Sequence, residues 1–341
     1  MELTNLTHGL TNTFILSLAA FLLAMFLTPL YTFVAYRYKF WKKQRTTSTT
    51  GEALTVFNKL HAGKFTRNIP TMAGLIFVIS ITLVTLFNLD RGQTWLPLAS
   101  LVGGALVGLL DDVINIRGSG KGVAGLRSSL KFAMISVIGL GLGWYFFAKI
   151  GVDVIHVPFV GDWTLGWLIV PLFAFVVVAT GNAVNISDGL DGLAGGLVSI
   201  SYGAFGVIAL LQGHFILAGF CFTVVGALLS YLWFNIFPAR FFMGDVGSFA
   251  LGTSLGVVAI LTNTLLLLPV IGLVFVVEAG SSLLQIFSKK VFKRKIFISA
   301  PIHHHLEASG WPETKVTMRF WVIACVCAFI GVFMAVAGGN I

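Results

Sequence analysis

Charge is what this sequence has least of. Only 10% of its 341 residues are Asp, Glu, Lys or Arg, and the acidic ones number 13. Soluble domains carry about 25% charged residues, so a chain this poor in charge does not read as a soluble enzyme. Cysteine is scarce as well. Cys221, Cys325 and Cys327 all fall within apolar runs, and the last two, two residues apart, point away from each other on a helix. That excludes a disulfide scaffold and leaves them as small apolar fillers. A basic leader is also missing: Glu2 is the only charge ahead of the first apolar run, which therefore reads as a retained helix and not a cleaved signal.

What the chain has instead is hydrophobic length, with 57% apolar residues arranged in about ten runs of bilayer-spanning size. They cover approximately 13–36, 71–89, 95–110, 129–149, 165–183, 194–212, 215–234, 248–262, 264–288 and 319–338, the third and eighth being short. The expectation is a single all-α integral membrane domain over 1–341, with about ten transmembrane helices. An even count puts both termini on one side. The loops carrying Arg37 to Arg67, Arg117 to Lys131, Arg240, and Lys289 to Arg319 share one parity, while only Arg91 and Lys149 fall on the other. By the positive-inside rule the basic side is cytoplasmic and both termini are outside. The net charge of +9 belongs to that face, where it attracts anionic membrane lipid or a polyanionic substrate. On the outer side, alternation over 152–159 predicts a short periplasmic hairpin, and His156 and His214 read as solvent-exposed bystanders.

Polar residues gather at the cytoplasmic boundary. From Thr180 to Gly196 the chain reads T-G-N-A-V-N-I-S-D-G-L-D-G-L-A-G-G, placing Asn182, Asn185, Asp188 and Asp191 every third residue before Gly189 and Gly192 break the helix. A carboxylate at a bilayer-centre position costs roughly 2.5–3.5 kcal/mol even on the lenient insertion scale, so two of them here point to a site; the plain alternative is a polar cap at headgroup level. Asp111 and Asp112 close the third run, the unfavourable end of a helix dipole for carboxylates. A divalent metal, or one of Arg117, Lys121, Arg127 and Lys131, has to offset them. Between the seventh and eighth runs, Pro238, Gly244 and Gly247 mark a turn presenting Asn235, Phe242 and Asp245, with Asp245 also suited to capping the next helix. The stretch from His61 through Lys64 to Thr71 leads into the second run as a phosphate-binding loop or as ordinary positive-inside charge. Glu278 and Gln285 share one face of the ninth run, Glu278 reading as a hydrogen-bonding residue inside the span. His303, His304 and His305 follow in the last loop; consecutive residues rarely converge on one metal, which favours phosphate contacts and structural hydrogen bonds over zinc.

With its paired aspartates, its N-x-x-N-x-x-D-G-x-D-G pattern and its P-I-H-H-H-x-E run followed by Gly310-Trp311-Pro312, the chain resembles the phospho-N-acetylmuramoyl-pentapeptide transferase branch of the polyprenyl-phosphate N-acetylhexosamine-1-phosphate transferase superfamily. The resemblance implies transfer of phospho-MurNAc-pentapeptide from UDP-MurNAc-pentapeptide to undecaprenyl phosphate, giving lipid I and UMP in peptidoglycan biosynthesis. It also implies Mg²⁺ as cofactor, the bacterial inner membrane and a homodimer, with no nucleic-acid partner. By matching position, Asp111 and Asp112 are the family's aspartate pair, Asp111 the candidate base, and Asp245 is the Mg²⁺ ligand with Asp111 and Asp112 as further candidates. Asn185, Asp188, Asn235 and His303 to His305 match active-site positions. Gly189, Leu190, Asp191, Phe242 and Gln285 match the uridine site, with Phe242 stacking on the base, and Lys64 and Thr71, ahead of the second run, match substrate-binding positions. The family places a lysine where Thr66 stands, so Lys64 is the substitute.

Two rivals remain at this point. A sister transferase using UDP-GlcNAc shares most of these motifs, the triple histidine with Gly-Trp-Pro being what separates them. A transporter or flippase expects charges deep in several spans and an internal repeat. Only Glu278 lies well inside a span, and no repeat is found.

Overall fold

The computed structural model describes residues 2–41, 68–88, 90–118 and 125–341. Its helices are α1 (Glu2–Arg37), α2 (Gly74–Asn88), α3 (Arg91–Arg117) and α4 (Ser128–Tyr145), the last continued by a π-turn over Phe146–Ile150. A hairpin of β1 (Val154–Val157) and β2 (Gly161–Thr164) comes next. Then follow α5 (Ile169–Ser187), α6 (Leu193–Leu211), α7 (Phe215–Asn235), α8 (Gly244–Leu261), α9 (Leu268–Ile271), α10 (Leu273–Val291), α11 (Ile302–Ala308) and α12 (Glu313–Ala337). All ten apolar runs coincide with helix. Among the described residues eight helices are long and apolar enough to cross a bilayer, and the bent pair Leu265–Ile271 with Leu273–Val291 makes a ninth. At about 1.5 Å per residue the 15 residues of α2 reach only about 22 Å, short of the ~30 Å hydrocarbon core. The chain is an all-α, multi-pass membrane protein.

Helix α8 is the centre of the bundle, packed on α3 and α5, while α1 lies along α7 and α12 along α6. It is buried along nearly its whole length. Close approach rests on missing side chains: a Cβ at Gly108 of α3 would fall on the Asp245 carbonyl, so only glycine brings the two backbones together there. That contact sets the first turn of α8 beside the aspartate pair.

Three expectations are corrected. Helix α3 does not end at Asp111–Asp112 but runs on to Arg117, because Val113 and Ile116 continue the packed face, so the carboxylates sit inside the last turns and feel less of the terminal dipole. The ninth run is not one helix; it bends by 80° at Gly272, after the helical turn that Pro269 opens. The bend borders an apolar cavity of about 440 Å³ lined by Phe175, Thr180, Ala183, Leu255 and Phe275. His156 is not an exposed bystander: its side chain is only 11% exposed, with Nδ1 2.7 Å from Asp162 Oδ1 and Nε2 2.9 Å from the Gly338 carbonyl. Both partners are acceptors, and hydrogen bonding to them raises its pKa. The hairpin forms as expected, pairing Val154 with Thr164 and Val157 with Gly161. His214 is exposed.

Candidate active site

Opposite the hairpin, hydrogen bonds join the ends of α3, α4, α5, α6, α7, α8 and α12. Lys131, in the first turn of α4, reaches across with Nζ 3.1 Å from Asp245 Oδ2 and 3.5 Å from Asp111 Oδ2. Among the described candidates it is this ammonium that meets Asp111 and Asp245. Asp111 also accepts from Asn115 Nδ2 at 2.8 Å and from the Leu126 amide at 2.6 Å. Asp245 stands in the first turn of α8, where the dipole favours an anion, but the N-cap position is Met243. Capping comes from outside: Asp112, fully buried, accepts from the Val246 amide at 3.0 Å. Gly244 precedes that amide with φ +72, and a Cβ there would meet Asp112 Oδ2. The aspartate pair is thus divided, Asp111 toward the cation and Asp112 toward the end of a helix.

The motif after Thr180 folds as its glycines dictate. Helix α5 stops at Ser187, Asp188 is its C-cap, and Gly192 takes φ +76 before α6. Asn185 donates to Ser248 Oγ on α8 at 2.9 Å. Asp191 is buried at 2% exposure, accepting from the Ala239 amide at 2.9 Å, while its own amide donates to Glu313 on α12 at 2.6 Å. Asn235 accepts from the Gly192 amide at 3.0 Å and donates to the Phe241 carbonyl at 2.9 Å. Asp191 and Asn235 therefore clamp the 188–192 turn to the 236–242 loop, leaving half-buried Asp188, Gly189 and Phe242 at the rim, with Leu190 turned into the core. Thr71 is also buried, its carbonyl accepting from Tyr31 at 2.5 Å. Lys64 and Lys121 lie outside the described residues.

The histidines point three ways. His303 Nδ1 lies 2.6 Å from Glu278 Oε2, His304 Nδ1 lies 2.8 Å from Glu307 Oε2, and His305 Nδ1 accepts from the Ile298 amide at 3.2 Å. They do not converge on one ion, and no cluster of three or more His, Cys, Asp or Glu suited to a metal occurs among the described residues. Burial, reinforced by the neighbouring His303, pushes His304 down to about 4, so it is neutral at physiological pH. His303 packs against Gly189, where a Cβ would run into Nε2. Gln285 holds the loop before the histidines, accepting from the Ile296 and Phe297 amides and donating to the Phe297 carbonyl, each at 3.0 Å.

Two converging carboxylates already holding one cation form the hard-oxygen donor set that Mg²⁺ uses, since that ion is commonly held by one or two carboxylates plus substrate phosphates. Residues 94–263 match the model of glycosyl transferase family 4. That stretch takes in both aspartates, Lys131 and Asp245 and stops short of Glu278 and the histidines. Beyond it, the phospho-N-acetylmuramoyl-pentapeptide-transferase of Chloroflexus aurantiacus is 37% identical over 98% of this chain and 92% of its own. The chain belongs to the phospho-N-acetylmuramoyl-pentapeptide-transferase family. Family members of the same name from Levilactobacillus brevis and Clostridium perfringens are 40% and 42% identical, covering 79% and 76% of this chain and 84% and 81% of theirs. Sequence reasoning missed the pairing of Glu278 with His303, which lie 25 residues apart with no periodic signal. The His304–Glu307 pair was legible from its i,i+3 spacing.

Proposed function

We propose that this protein transfers phospho-MurNAc-pentapeptide from UDP-MurNAc-pentapeptide to undecaprenyl phosphate, releasing UMP and forming lipid I, from the cytoplasmic face of the bacterial inner membrane with both termini outside. The observation that carries the reading is the Asp111–Lys131–Asp245 cluster at the membrane-boundary end of the bundle. Phosphoryl transfer asks a protein mainly to position the reactants and neutralise charge, and this cluster does both where a lipid phosphate and a soluble nucleotide can meet.

In this reading Asp111 accepts the proton of the lipid phosphate, which attacks the sugar-bearing phosphorus directly. Lys131 is displaced from the two carboxylates toward the incoming diphosphate and balances its charge. Asp245 and Asp111 would hold the Mg²⁺, which would supply charge neutralisation of the diphosphate when bound there. Asn185 and Asp188 line the approach, Phe242 stacks on the uracil, and the Gly189–Asp191 turn supports the uridine. Asp112 and Asn235 serve from behind, fixing the start of α8 and the turn. The apolar cavity at the bend follows α5 through Thr180 and Ala183 toward Asn185, which suits a polyprenyl chain whose phosphate ends at the cluster. A homodimer belongs to the same reading, checked by the detergent-corrected mass of the purified protein.

The test is UMP release by purified protein from UDP-MurNAc-pentapeptide, with and without undecaprenyl phosphate and Mg²⁺, beside Asp245→Ala. Release that needs lipid, metal and Asp245 is expected. Release from UDP-GlcNAc instead would replace the donor, and release untouched by the substitution would move the metal off Asp245.

A further inference from the structure

Glu278 is a carboxylate where hydrocarbon is expected. It is 0% exposed, and it sits in the first turns of α10, just past the bend. Its side chain meets His303 Nδ1 at 2.6 Å, and with Glu278 ionised it can only accept there, which puts the proton on Nδ1. The other ring nitrogen, Nε2, then faces Gly189 in the turn that follows Asp188.

Holding the loop in place does not require this charge. On the same face of α10, Ser281 accepts from the Ile302 amide at 3.0 Å, Gln285 holds Ile296 and Phe297, and Ser288 donates to the Arg294 carbonyl at 3.0 Å. Three neutral side chains already fasten 294–302 to the helix. Glu278 is the ionisable side chain on that face, and it is directed at one imidazole. Among the described residues, the titratable groups around the ring include His304, its centroid 4.1 Å away and neutral through burial, then Glu307 beyond it. Asp188 precedes the facing turn, and Glu313 on α12 accepts from the Asp191 amide. No arginine or lysine among the described residues makes an ion pair with Glu278.

We propose that Glu278 is a positioning residue for the transfer: it keeps His303 as an imidazolium and orients Nε2–H toward the diphosphate of the nucleotide donor at the Asp188–Gly189 turn. This rests on the function proposed above. No proton moves in the step; His303 donates a hydrogen bond and keeps its proton, and the positive ring that Glu278 holds in the free protein balances the anion that Nε2 meets.

The experiment compares wild type with Glu278→Gln, which keeps the size and the accepting oxygen and removes only the charge. Expected is a kcat/KM for UDP-MurNAc-pentapeptide at least tenfold lower at pH 8, with the alkaline limb of the pH profile at least one unit further toward acid, so that the deficit shrinks near pH 6. His303→Gln added to Glu278→Gln should cost little further activity at pH 8 and should abolish the recovery near pH 6. If Glu278→Gln does not fold, Glu278→Asp is measured instead: a lower rate with the alkaline limb unmoved supports the proposal, and a shifted limb overturns it. A tether alone predicts a Glu278→Gln profile parallel to wild type at every pH, and that result would overturn the inference. Wild-type protein that releases no UMP sinks the parent reading and this one with it, whereas wild-type release with an unmoved Glu278→Gln profile sinks this one alone.

Discussion

Replacing Lys131 by Met removes the cation between Asp111 and Asp245 while keeping the length of the side chain. At 3.1 and 3.5 Å each contact is worth a gross ~5 kcal/mol at an effective dielectric of about 20. Most of that is offset by desolvation, and the lysine side chain is 20% exposed, so the net loss in metal-free buffer should be roughly 2–4 kcal/mol, below or within the range for breaking a buried pair. A melting temperature several degrees lower follows, since 1 kcal/mol moves it by about 2–4 °C in chains of 150–250 residues and by less in longer ones. The decisive effect is on metal. If Mg²⁺ and the ammonium share one position, wild type has to release Lys131 before it binds the ion, and Lys131→Met does not. MgCl₂ should therefore raise the melting temperature of the variant more than that of wild type, by up to ~2.7 kcal/mol of stabilisation at a hundredfold excess over Kd. Turnover should still fall on the order of 10²-fold or more, because the charge that follows the diphosphate is gone. The assay is a pair of thermal melts in detergent, with and without MgCl₂, beside UMP release. Equal Mg²⁺ stabilisation of the two proteins would falsify the shared position.

Gly189→Ala places a methyl group against His303 Nε2. Either the ring or the turn has to shift, and UMP release should drop at least tenfold, more than the melting temperature alone would account for; unchanged kinetics would mean the turn and ring are not both in the site. His304 gives a pH dependence of stability. Its folded pKa of about 4 lies below the ordinary 6.5, so as pH falls the unfolded chain takes the proton first. Stability from this group is complete above about pH 6.5 and is lost progressively toward pH 4, on the order of 2–3 kcal/mol. Melting temperatures from pH 7.5 to 4.5 should decline in wild type and decline less steeply in His304→Gln; parallel slopes would refute it.

Hydropathy marks helices faithfully, and all ten apolar runs proved helical, but it says little about where helices end or bend. The third run stopped at Asp111 because charge lowers the average there; the helix continues because Val113 and Ile116 still find a packed face. The bend at Gly272 is hidden inside a run whose every neighbour is apolar. Periodicity was enough to find the 180–196 motif and the break at Gly189, since glycine spacing is a local signal. It could not distinguish Asp111 from Asp112, because one carboxylate meets Lys131 and the other meets an amide of α8, and both partners are set by packing. His156 looked idle for the same reason, its second partner being the Gly338 carbonyl at the far end of the chain.

The few charges of this protein divide by what they touch. Asp112, Asp191 and Glu313 accept from backbone amides, at Val246, Ala239 and Asp191, and such donors cannot leave without unfolding a turn. Asp111, Asp245 and Glu278 face an ammonium or an imidazole, groups that can turn toward an arriving anion, and Asp111 belongs to both sets because it also accepts from the Leu126 amide. On the function proposed above, the first set fixes geometry, and the second stores charge that the free protein neutralises internally and a diphosphate can claim. A bilayer-embedded site needs both, because an uncompensated charge at that boundary is costly before substrate arrives and a rigidly compensated one is useless afterwards. Neutral isosteres separate the two sets experimentally. In the first they leave an amide poorly satisfied and lower stability at every pH, while in the second they leave the fold standing and change how the protein responds to metal, pH and substrate charge.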